Sequence, residues 1–113
     1  MIRVIITAKR KAGMSMDAFK HYYENHHSVR GTRNFPGMAR YTRKYLTPVG
    51  TDEEPPFDVI TETCFETEQD YQRALAHFAS DPAIAEAHFA DEENLFDRST
   101  IRTFLVDERR TDL

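Results

Sequence analysis

One cysteine, Cys64, stands alone in a chain of 113 residues. An internal disulfide is impossible and a thiolate zinc cage is excluded, so the fold must rest on packing. Glycine and proline are also scarce, at four and five residues, which rules out collagen-like and low-complexity chains. No apolar run approaches the roughly eighteen residues that cross a bilayer, and the stretch from Met1 to Ala8 is too short and too soon basic for a secretory signal core. A soluble, cytoplasmic protein with no membrane partner is the expectation. Neither a phosphate-cradling glycine loop nor a G-x-S-x-G elbow is present, leaving nucleotide binding and serine hydrolysis without support. Acids are nearly missing from residues 1–50, where Asp17 and Glu24 face ten Lys and Arg; residues 51–113 reverse this with seventeen acids and five bases, for a net charge of −4. Such halves are expected to compensate each other across the fold or across a subunit interface. Nucleic acid is not expected, because the basic residues are spread singly and no aromatic RNA-binding signature or helix-turn-helix spacing accompanies them.

Against these absences, the chain is 40% apolar and carries thirteen Phe and Tyr residues, enough for one globular domain over residues 1–113. Ile2 to Lys9 is rich in β-branched residues and predicts a strand, followed by the turn-like Lys11-Ala12-Gly13. Ser15 is placed as an N-cap, with Met14 and Phe19 as a hydrophobic staple, for a helix from about Met16 to Arg33. At 100° per residue, Tyr22, Tyr23, His26, Arg30 and Arg33 fall within about 60° of Phe19, giving this helix an aromatic face. Met38 to Thr47 predicts a second strand and Phe57 to Glu66 a third, the latter with Val59, Thr61, Thr63 and Phe65 on one side and Ile60, Glu62 and Cys64 on the other. Thr67 caps a helix to about Ala79; Asp81-Pro82 restarts it to about Phe96, with Ile84, Ala87, His88, Asp91 and Leu95 in one stripe. Thr100 to Asp107 is the last strand. The order βαββαβ predicts an α+β, ferredoxin-like fold: an antiparallel four-stranded sheet with helices on one face. Apolar residues on both faces of the third strand call for a second cover, most simply a twofold homodimer packed sheet to sheet.

Chemistry concentrates in Tyr22-Tyr23-Glu24-Asn25-His26-His27. An imidazole beside two phenols, facing a sheet that offers Tyr41 and Tyr45, suits proton transfer near neutral pH: His as base or acid, Tyr hydroxyls as donors to a developing oxyanion. A purely packing role for these aromatics, with one satisfied buried histidine, stays open beside it. Glu62 is a candidate to orient such a histidine, with Thr63 and Tyr45 as supporting residues; Asp91-Glu92-Glu93 and Asp97 read as a solvated helix end. No metal site is expected, since adjacent His26 and His27 point about 100° apart on a helix and His77 and His88 are separated by the Asp81-Pro82 break. In regular helical phase His26 lies about 20° from Phe19 and His27 about 80°, which makes His26 the inward residue.

Lys9-Arg10-Lys11 with Gly13-Met14-Ser15, then Phe19 and Tyr22-Tyr23-Glu24-Asn25-His26-His27, resembles the opening signature of the EthD domain family. Phe57-Asp58 with Glu62 and Phe65, and Asp91-Glu92 with Phe96-Asp97, resemble its later blocks in the same order. The chain departs from the family pattern at Ser28-Val29-Arg30, where a small residue, Pro and Leu are usual, and at Cys64, where an aromatic is common. The resemblance implies a dimeric α+β barrel, which agrees with the strand order and the uncovered sheet face. It also implies a choice among three functions. The first is a cofactor-independent cyclase, dehydratase or isomerase acting on a small oxygenated aromatic, polyketide or lactone, with His26 or His27 as base and Tyr22, Tyr23 or Tyr41 as oxyanion donors. The second is a non-catalytic accessory or small-molecule-binding protein of an ether-degrading oxidoreductase system. The third is a cofactor-free monooxygenase. No cofactor is expected in the first, and the pocket is expected between the first helix and the sheet, lined by Tyr and His. One histidine of the pair would face it while the other ties the helix to a neighbouring strand or subunit.

Overall fold

Three polar side chains start the helices at the expected positions. Ser15 Oγ accepts from the Ala18 N–H at 3.1 Å, Thr67 Oγ1 from the Asp70 N–H at 3.1 Å, and Asp81 Oδ1 from the Ala83 N–H at 3.0 Å, with Pro82 opening its helix. The computed structural model describes residues 1–113. Its elements are β1 (Ile2–Arg10), α1 (Met16–Tyr22), a π-helical turn (Tyr23–His27), α2 (Ser28–Asn34), β2 (Arg40–Tyr45), β3 (Val59–Phe65), α3 (Glu68–Ala79), α4 (Pro82–Glu92) and β4 (Phe96–Leu105). The first helix is continuous through α1, the π turn and α2. No helix is long and apolar enough to cross a membrane.

The sheet order is β2-β3-β1-β4 with every neighbouring pair antiparallel, the split βαβ topology of a ferredoxin-like α+β fold. Strand alternation sorts the two faces as expected. Val59 packs with Phe19, Thr61 bonds Tyr23 and Phe65 meets Tyr71, so this side of β3 lies under the helices. The core joins Ala8, Phe19, Tyr23, Val59, Leu95 and Phe96, with Met14 and Met16 packed against it. The junction of the last helix and strand differs most from the sequence reading, while β2 and β3 are each shorter at their ends. The last helix stops at Glu92 and β4 starts at Phe96, because Phe96 pairs with Arg10 in the sheet and sets its ring edge-on to Phe19 at 5.8 Å.

On the opposite face Ile5 pairs with Glu62 and Phe104, Thr7 with Ile60, and Cys64 with Arg3 and Arg40. Cys64 is nonetheless fully buried, since Arg3 Nη1 and Glu62 Oε1 each lie 3.7 Å from its sulfur. Burial and the adjacent Glu62 charge push the thiol pKa up, which keeps it protonated and inert. The apolar surface left without cover on this face is therefore Ile5, Ile60 and Phe104, the last 51% exposed. Charge compensation between the two halves of the chain takes place partly within the domain, through Arg3 with Glu62 and Glu108, Lys9 with Glu54, and Arg30 with Asp91.

Candidate active site

The histidine motif falls on the π turn. Ser28 donates its backbone N–H to the Tyr23 carbonyl, five residues back, so this turn takes more residues than the 3.6 of an α-helix. Each residue then advances by less than 100°, and steps of four stay on one face instead of drifting. Phe19, Tyr23, His27 and Gly31 are all buried as a result. His26, predicted to point inward, is instead exposed and lies against Tyr22 with ring centroids 4.9 Å apart. His27 is 4% exposed and takes the inward place.

Its partner comes from the end of α4. Asp91, 7% exposed, accepts from His27 Nδ1 at 2.7 Å with one carboxylate oxygen and from the Tyr22 hydroxyl at 2.6 Å with the other; Asn94 Nδ2 donates in turn to Tyr22 at 2.9 Å. Burial alone would raise the Asp91 pKa, but the Tyr22 and His27 hydrogen bonds and the Arg30 charge hold it below the usual carboxylate value. An ionised carboxylate only accepts, so the proton of neutral His27 sits on Nδ1 and the lone pair on Nε2. Burial lowers the His27 pKa against the opposing pull of Asp91, which keeps the ring neutral at pH 7. Nε2 makes no hydrogen bond, and no fully buried side-chain polar atom in the chain lacks a partner, so Nε2 reaches accessible space. Of the two histidines it is His27 that ties the first helix to a neighbouring element, and that element is α4 through Asp91.

A second buried histidine adjoins the first. The His88 ring lies 5.2 Å from that of His27 and is walled by Phe35 and Phe78, which stack on each other at 4.5 Å. His88 Nδ1 is 2.9 Å from Asn34 Nδ2, while Nε2 faces Glu92 Oε2 at 3.6 Å. Burial, then the neighbouring His27, lowers the His88 pKa from 6.5 to about 4. Burial raises that of Glu92 despite Arg98 at 3.4 Å. In the unfolded chain His88 regains its ordinary pKa, so its contribution to stability is complete above pH 6.5 and is lost as pH falls toward 4. Urea melts in EDTA buffer should show a loss on the order of 2 kcal/mol over that interval. A His88→Gln variant should flatten the part of the slope between about pH 6.5 and 5, above ordinary carboxylate pKa values. An identical slope in that variant would contradict the burial of His88.

Of the phenols, Tyr23 is buried and shares a 2.6 Å hydrogen bond with Thr61, and burial holds its pKa well above the usual value. Tyr41 adjoins Tyr23, and its pKa is raised by burial too. It packs so tightly under the helix that a Cβ on Gly31 would lie 2.8 Å from its hydroxyl oxygen. Tyr45 instead donates to Glu24 at 2.5 Å, and Arg43 grips the same carboxylate at 2.8 and 2.9 Å, at the exposed edge of the helix. Thr63 occupies the helix-facing register between Tyr41 and Val4. Glu62 cannot orient His27, because it lies across the sheet with Arg3 at 3.7 Å. Asp91 does so, although it belongs to an acidic run read as a solvated helix end. Between the first helix and the sheet, where a pocket was expected, Phe19, Tyr23 and Val59 pack as core, and two open depressions of the isolated chain lie apart from this cluster. One is bordered by Arg10, Met16, Asp58 and residues 51–55, the other by residues 9–15 and Glu54.

The EthD domain family model matches residues 11–99. A comparison with curated protein sequences finds no match. Among solved structures, an ethyl tert-butyl ether d (EthD) family protein from Bacillus halodurans is similar at 18% identity over 96% of this chain and 100% of its own, with a TM-score of 0.64. A dimeric protein of unknown function and ferredoxin-like fold from Bacteroides fragilis is similar at 9% identity over 96% and 95%, with a TM-score of 0.52. A hydroxynitrile lyase from Passiflora edulis is similar at 22% identity over 97% and 96%, with a TM-score of 0.50.

Proposed function

Since the chain belongs to the EthD domain family, and its motif histidine meets a buried carboxylate, we propose that it is an enzyme that moves protons on a small, planar, oxygenated substrate without a cofactor. The observation that carries this reading is the buried His27–Asp91 pair at 2.7 Å with His27 Nε2 left unbonded. Nε2 takes a proton from a carbon next to a carbonyl; the released electron pair moves onto the carbonyl oxygen as an enolate. Asp91 stabilises the imidazolium so formed, which then returns its proton to a second position of the same molecule. Tyr41 is the phenol assigned to donate to the enolate oxygen in this reading, since the Tyr22 hydroxyl is committed to Asp91 and that of Tyr23 to Thr61. The cyclase, dehydratase and isomerase chemistries all begin with this step. The lyase name of the Passiflora neighbour supports an activity of this general kind on the fold.

The working unit in this proposal is a homodimer joined through Ile5, Ile60 and Phe104, in keeping with the dimeric description of the Bacteroides neighbour. Light scattering at micromolar concentration should give twice the 13.2 kDa chain mass; a monomer would remove the sheet-to-sheet pairing. The activity is tested by proton NMR in D2O on a panel of 1,3-diketones, acyl phenols and unsaturated lactones. Protein-accelerated deuterium uptake at one carbon is expected for at least one class. Uptake at the buffer rate for every class would leave the accessory, ligand-binding reading in its place.

A further inference from the structure

His88 and Glu92 sit four residues apart on one face of α4, and the π turn brings His27 over them. One donor atom from each of the three side chains lies within 4.8 Å of the other two. We propose that His27, His88 and Glu92 form a binding site for a single first-row divalent transition-metal ion of the zinc type. Metal–nitrogen and metal–oxygen distances of about 2.0 to 2.2 Å require donors roughly 3 to 4 Å apart, which small side-chain rotations supply here.

The surroundings support the site in four ways. Asp91 holds His27 Nδ1 at 2.7 Å, the carboxylate–histidine arrangement that fixes a ring with Nε2 toward a metal. Asn34 Nδ2 lies 2.9 Å from His88 Nδ1 and fixes the ring; a metal on His88 Nε2 requires this amide to turn so that Oδ1 accepts from Nδ1–H. Arg98 engages Glu92 through Oε1 at 3.4 Å, leaving Oε2 on the His88 side. Phe35, Phe78 and Phe96 border the two imidazoles and limit water around them. Two imidazoles with one carboxylate favour zinc, nickel, copper or iron over calcium and magnesium, which prefer oxygen donors. This inference stands on the cluster geometry and is independent of the proton-transfer reading. The two meet at one atom, because an ion on His27 Nε2 displaces the proton that the base would take.

EDTA-stripped, full-length protein is titrated with Co2+ by visible absorption and with Zn2+ by calorimetry. One ion per chain is expected. His27→Ala, His88→Ala and the near-isosteric Glu92→Gln should each weaken binding at least tenfold, and Asp91→Asn by about tenfold to a hundredfold, with circular dichroism confirming that each variant folds. His26→Ala and His77→Ala should bind as the parent does. No stoichiometric binding by the folded parent would overturn the proposal. So would affinity that survives both His88→Ala and Glu92→Gln, which would place the ion on surface histidines.

Discussion

Replacing His27 by alanine should slow proton transfer on a substrate found by deuterium uptake about a hundredfold or more, whereas replacing His26 should leave the rate nearly unchanged. The contrast follows from burial. His27 is 4% exposed and bonded to Asp91, while the adjacent His26 is exposed. Asp91→Asn should also lose on the order of a hundredfold, since an amide NH2 facing Nδ1 favours the tautomer with its proton on Nε2, where the lone pair is needed. His27→Ala leaves Asp91 short of one hydrogen bond and should cost roughly 1 to 3 kcal/mol of stability, so the rates are compared on samples shown to be folded. A slow His26→Ala beside an active His27→Ala would reverse the assignment.

The largest effect on stability should come from Phe19→Ala, at about 3 to 5 kcal/mol in urea denaturation. Phe19 is 0% exposed and sets its ring edge-to-face against Tyr23, Tyr45 and Phe96 at 6.2, 5.9 and 5.8 Å. Truncation leaves a cavity among three large rings that belong to the first helix and two strands, so none of them can close it alone. The loss should reach the site as well, because Tyr23 and Phe96 are the rings against His27, at 5.1 and 5.4 Å. A cost below about 1 kcal/mol would mean that this cluster is not the core.

Strand alternation and helix caps made the fold legible in the sequence, because both depend on residue types at fixed spacing. Thr61 and Cys64 fall on the predicted opposite faces of β3, and Ser15, Thr67 and Asp81 cap where their side chains allow. The family signature likewise included His27 and Asp91, which the structure brings to 2.7 Å, though not their arrangement. The π turn is a backbone event with no side-chain signature, so a uniform 100° step put His26 inward and His27 at the edge. Asp91 was hidden by its acidic neighbours, although its place in a stripe with His88 was the available signal: three residues apart on one helix face, both turn toward the first helix. Glu62 misled because a strand position fixes a face but not a partner. The meeting of His27 with His88 joins residues sixty-one positions apart, which no local spacing reports.

The protonation of His27 can be read without any substrate. In metal-free protein at pH 7, long-range nitrogen–proton NMR correlations of the assigned imidazoles should show His27 neutral, with its proton on Nδ1 and an unprotonated Nε2. It should stay neutral on acidification to below the ordinary histidine pKa, in line with the lowered His27 pKa. A His27 ring protonated on Nε2, or one that titrates at or above the ordinary histidine value, would contradict the Asp91-oriented base on which the account rests.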